Sequence, residues 1–103
     1  QIAARDDNRK LALLVAIDRI PKPTESDLVK ATNIPNRSVQ EMIKNFPKMS
    51  VIIDRTNGRR FGYYTILDEG AYNLTRIPLV LKKNYPNIYQ NIEDLAIQKE
   101  AVS

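Results

Sequence analysis

Apolar side chains recur along this chain at spacings that change from helical to strand-like near residue 50. In RKLALLVAIDRI, residues 9–20, Leu11, Leu14, Val15, Ile17 and Asp18 stand at helical spacing in a stretch rich in Ala and Leu. A first helix is expected there. Asp6, Asp7 or Asn8 can cap its start, where acids also suit the helix dipole. Pro21 and Pro23 end it and stiffen the connector. A second helix is expected over Glu25–Thr32, with Leu28, Val29 and Ala31 apolar. Thr24 before it and Asp27 at its third position form a variant capping box. A helix this short must pack on a neighbour to persist.

Asn33 tolerates left-handed backbone and can close the second helix. Ile34 then pins the turn to the core, and Pro35 or Asn36 opens a third helix. Val39, Met42, Ile43 and Phe46 recur at spacings of three and four, which assigns one face of Asn36–Phe46 to the core. Asn36, Arg37, Gln40, Glu41 and Lys44 occupy the other face, and Pro47 closes the helix. Val51–Thr56 and Arg59–Leu67 are rich in β-branched and aromatic residues. Asn57-Gly58 between them favours a two-residue turn, so an antiparallel hairpin is expected. Gly62 marks a bulge or a close backbone approach. LDEGAYN, residues 67–73, reads as a loop. A helix over Thr75–Asn84 accepts Pro78 only in its first turn. Asn87 can then cap a final helix to Lys99, with Ile88, Ile92 and Leu95 as its apolar stripe.

Composition narrows the chemistry. The 103 residues are 43% hydrophobic, enough for one modest core, and include no cysteine and no histidine. Thiolate nucleophiles, imidazole bases and the usual zinc ligands are therefore absent together. No apolar run is long enough to cross a membrane. The opening QIAARDDNRK contains no apolar segment of the secretory kind, and a cytoplasmic location is expected. Formal net charge is +4. Lys30, Arg37, Lys44, Lys48, Arg55, Arg59 and Arg60 face only Glu41 and Asp54 within residues 30–60, a local charge of 7 − 2 = +5. Such a concentration is the footprint of a polyanion-binding surface, or else of a solvated basic face.

DLVKATNIPNRSVQEMIKNF resembles a helix-turn-helix, with Leu28, Asn33, Ile34 and Val39 at the positions where that motif repeats a leucine, a Gly or Asn turn, an apolar residue and a valine. The continuation IDRTNGRRFGYYTILDEG resembles the wing of a family of small prokaryotic winged helix-turn-helix proteins. The resemblance covers about Asn8 to Gly70. It implies an α+β fold with a three-helix core and a hairpin wing over residues 1–70. Residues 71–103, beyond the matched stretch, are expected to form one or two C-terminal helices, a helical extension and possible dimerisation element. The resemblance further implies a transcriptional regulator that binds double-stranded DNA. Separately, one recognition helix offers little specificity, so a homodimer is expected through the C-terminal helices, where Leu79, Val80, Leu81, Ile88, Ile92 and Leu95 offer apolar surface, and no membrane association is expected. The third helix would then enter the major groove. Arg37 suits guanine, Gln40 or Asn36 suits adenine, and Glu41 can accept from cytosine N4. Ser38, Lys44, Thr24 and the backbone at Thr24–Glu25 suit phosphates. Arg55, Asn57, Gly58, Arg59 and Arg60 form the wing contacts.

Plainer readings stand beside these. Val39, Met42, Ile43 and Phe46 are core. One of Tyr63 and Tyr64 is buried and the other exposed. Asp68-Glu69 serves a cap or loop, not a catalytic dyad. Glu41 can pair with Arg37 or Lys44 on its own helix. The tail can pack back on the first helix instead of pairing with a second copy. No catalytic residue, cofactor or metal is expected. With no phosphate loop and only three glycines, an enzyme is disfavoured. The alternative function is a winged helix used for protein–protein contact or as a subunit of a larger assembly.

Overall fold

The first helix is the hub of the molecule. A computed structural model describes residues 7–56 and 62–102. In it α1 (Asn8–Arg19) is followed by α2 (Glu25–Thr32), α3 (Asn36–Asn45), a 3-10 turn over Phe46–Met49, β1 (Ile52–Thr56), β2 (Tyr63–Asp68), α4 (Ile77–Asn84) and α5 (Pro86–Val102). The fold is α+β, five helices and one two-stranded antiparallel hairpin. Ala12, Leu13, Leu14, Val15, Ala16 and Ile17 are all buried, so α1 is covered on every side. α2, α4, α5 and β2 pack around it. No described helix is long and apolar enough to cross a membrane.

Local chemistry sets the α2–α3 unit as expected. Thr24 Oγ1 accepts from Asp27 N, and Asp27 Oδ2 accepts from Thr24 N, closing the capping box at 3.2 and 3.0 Å. Asn33 takes the left-handed conformation, φ 59°, and donates its N–H to Val29 O. Thr32 adds a bond that its sequence position does not announce. Its buried hydroxyl donates to Leu28 O and accepts from Ile34 N, which locks the three-residue turn. Leu28, Ala31, Ile34, Val39 and Phe46 are buried. Met42 and Ile43 are half-buried. At the start of α1 Asp7 is the cap residue, but its side chain makes no capping hydrogen bond and instead lies 3.9 Å from Lys10 Nζ.

The hairpin forms with a different register from that of a tight turn. Thr56 pairs with Tyr63, whereas a two-residue Asn57-Gly58 turn would pair Thr56 with Arg59. Residues 57–61 lie outside the described residues, Asn57, Gly58, Arg59 and Arg60 among them. The irregularity expected at Gly62 instead falls at the far end. Ile52 pairs with Asp68 and Ile53 with Ile66, so Leu67 is the extra residue. A bulge there turns Leu67 outward, 64% exposed. Tyr64 is buried, Tyr63 half-buried, and Tyr64 N donates to Pro23 O at 2.9 Å. That bond ties the hairpin to the connector before α2.

The tail packs inward. Ile77, Leu81, Ile88, Ile92 and Leu95 are buried. α4 and α5 pack together, and α5 runs along α1 and α2. Arg19 pairs with Glu93 at 3.0 Å, and Lys99 pairs with Asp27 and donates to Lys22 O at 2.7 Å. Of the apolar surface expected to serve a dimer, the stripe Ile88, Ile92, Leu95 is therefore core. Leu79, 68% exposed, and half-buried Val80 remain outside. Asn87 does not cap α5, because Pro86 already lies in the helix, where its missing N–H costs nothing at the first position. Pro78 lies in the first turn of α4, as required.

Candidate functional site

α3 presents Asn36, Arg37, Gln40, Glu41 and Lys44 to solvent, with Ser38 half-buried. The capped α2 and the left-handed turn set its direction, and buried Val39 and Phe46 hold its back to the core. Glu41 forms no ion pair with Arg37 or Lys44 among the described residues. Both cations are thus left to the solvent side.

Two grooves flank this helix. The first, about 500 Å³, lies between α3, the hairpin and the start of α2. Gln40 and Lys44 line it from α3, Arg55 and Ile53 from β1, Tyr64 from β2 and Glu25 from α2. The Arg55 guanidinium sits 5.5 Å from the centroid of the Tyr64 ring, a cation–π distance that steadies a long exposed side chain. Burial pushes the Tyr64 phenol above its ordinary value against the pull of Arg55, and Glu25 adds to the rise. It is a neutral hydroxyl at physiological pH. The second groove, about 380 Å³, runs along the other flank and is lined by Arg37, Ser38, Glu41, Met42 and Asn45 of α3 with Arg9 of α1.

The structure therefore brings Gln40, Lys44 and Arg55 together and sets Arg37, Ser38 and Glu41 on the opposite flank of the same helix. Asn36 turns toward α2, where its amide nitrogen, oriented to donate, lies 3.0 Å from both carboxylate oxygens of Glu25. Asn57, Gly58, Arg59 and Arg60 lie outside the described residues. The start of α2 departs from the expected phosphate site. Asp27 takes the Thr24 N–H, and Glu25 and Asp27 both stand in the first turn. Asp27 satisfies the Thr24 N–H internally, and the two carboxylates oppose an anion.

Two side chains of the site had no sequence signal for the part they take. Arg9 reads as part of the first helix's opening turn and reaches α3 only through tertiary packing. Glu25 reads as a helix-start acid, and its reach to Asn36 depends on the α2–α3 crossing. Comparison with protein families, curated proteins and solved structures found no match.

Proposed function

We propose that the chain is a winged helix-turn-helix DNA-binding protein of the transcriptional-regulator kind, with α3 in the major groove and the hairpin beside it. The supporting observation is the gathering of Gln40 and Lys44 on α3 with Arg55 on β1 around one groove, with Arg37 on the other flank. Element order supports it too: three helices, the last two joined by a three-residue turn, and then a hairpin. Arg37, Lys44 and Arg55, three of the seven cations of residues 30–60, lie around these two grooves. A major groove about 12 Å wide admits one α-helix, and the residue types on α3 match base edges and phosphates. The role is one of binding rather than catalysis.

Selection on random duplex DNA followed by sequencing tests the reading. An enriched motif is expected. Arg37→Ala should relax one of its positions by roughly 1–3 kcal/mol, the worth of a bidentate base contact. Recovery of no motif from a folded protein would count against base reading.

A protein-contact role is the second reading, favoured by the outer face of α4. There Leu79 and Val80 stand between Arg76 and Lys83 around a shallow groove. Pairing of two copies through that face would double the DNA contacts and set a half-site spacing.

A further inference from the structure

The N-terminal ends of α2 and α3 meet through Glu25 and Asn36. A carboxylate accepts at both oxygens, so only the amide nitrogen of Asn36 can face it as a donor. In that orientation Asn36 Nδ2 is 3.0 Å from Glu25 Oε1 and 3.0 Å from Oε2. One nitrogen equidistant from both oxygens directs a single hydrogen between them. Of the amide's groups, Oδ1 and the second N–H are then the ones that would meet an outside partner at this exposed residue. One acceptor and one donor side by side are what the N6 and N7 edge of adenine requires.

A surface asparagine without such a contact rotates its amide and can present either group in either place. That freedom must be lost before a two-point contact forms. Glu25 removes it in the free protein. The capping of α2 does not need Glu25, because Thr24 and Asp27 close the box between themselves. Glu25 is also the one acid among the residues lining the groove that holds Lys44 and Arg55. Beside phosphates it reduces the electrostatic gain those cations supply.

We propose that Glu25 is a positioning residue for base reading: it holds the Asn36 amide in one orientation, which sharpens discrimination, while its charge weakens binding to DNA of every sequence. The inference rests on the DNA-binding reading. Its signature is a pair of effects of opposite sign from one side chain.

The test uses Glu25→Ala, Glu25→Gln and Asn36→Ala in the full chain, first without DNA. Proton–nitrogen NMR of the Asn36 side-chain amide should show a distinct, exchange-protected pair in the parent protein. Glu25→Gln, which retains an acceptor, should keep much of that protection, and Glu25→Ala should lose it. An amide pair unchanged in Glu25→Ala overturns the inference whatever the DNA data show. Binding is then measured on random duplex and on the selected site. Both Glu25 variants should bind random duplex more tightly. Glu25→Gln should keep its discrimination, whereas Glu25→Ala should lose roughly tenfold at one base pair. In an Asn36→Ala background, Glu25→Ala should cause no further loss. DNA binding that persists with discrimination intact in Glu25→Ala overturns this inference alone. Failure of every variant and of the parent to bind DNA overturns the functional reading, and this inference with it.

Discussion

Single residues fix the geometry on which the α2–α3 unit depends, and Asp27 does so twice. Burial works against its ionisation, but hydrogen bonds from Lys99 and Thr24 and the Lys99 charge outweigh it and hold its pKa below the ordinary 3.8. A carboxyl depressed by folding adds stability above its unfolded pKa, and that contribution disappears as pH falls through the folded value. Denaturant midpoints of the parent protein should therefore fall below about pH 4, and Asp27→Asn should show a flatter acid limb. A limb of equal steepness would show that Asp27 is not a source of the acid sensitivity. Gly70 is the other pivotal residue. Its φ is +56°, and a Cβ there would lie 2.5 Å from Met49 O and from Ser50 O, both backbone atoms. Gly70→Ala should cost at least about 1–3 kcal/mol by thermal or denaturant unfolding, since neither neighbour can rotate away. Thr24, Asp27 and Asn33 were legible because capping and left-handed turns depend on neighbours within a few residues. Glu25 and Lys99 were not, because their partners lie on other helices.

At the scale of elements, the short α2 and the hairpin depend on what packs behind them. Periodicity located the three helices before the hairpin and left one or two open after it, where two form among the described residues, α4 and α5. It did not reveal that α1 is buried all round, since the side chains that cover it come from the far end of the chain. Nor did it locate the bulge, which falls at Leu67 where the strands' pairing shifts, with no glycine involved. Asp68 and Glu69 serve the loop as expected, accepting from Gly70 N and Leu74 N. The extension is where element packing departs furthest from an appended arm. Ile77, Leu81, Ile88, Ile92 and Leu95 are buried. Each is worth about 1.5–3 kcal/mol before the entropy of ordering is counted. Together that is comparable with the whole stability of a small domain, about 5–15 kcal/mol. Removal of residues 71–103 should therefore abolish cooperative unfolding of the remainder by circular dichroism. A truncated chain that melts with a sharp transition would show that residues 1–70 form a self-sufficient unit.

At the scale of the whole molecule, the ion pairs between the tail and the first two helices lie apart from the cations of α3. Ion pairs join the tail to α1 and α2 through Arg19–Glu93 and Lys99–Asp27. Arg37 and Lys44 have no carboxylate partner among the described residues. This contrast was half legible. The +5 charge of residues 30–60 is plain in the sequence, but which cations would be neutralised by the fold was not. On the proposed reading Arg37, Lys44 and Arg55 would supply cations for DNA phosphates; Arg59 and Arg60 lie outside the described residues. Each phosphate neutralised steepens the salt dependence of binding by about 0.9 in log–log slope. The central claim is tested most directly by measuring affinity for random duplex DNA across a range of salt, for the parent protein and for Arg59→Ala/Arg60→Ala. The account predicts a steep linear fall with salt and a slope reduced by about 1 for each phosphate contact that the double variant loses. Binding that is insensitive to salt, or no binding at any salt by a folded protein, would contradict it.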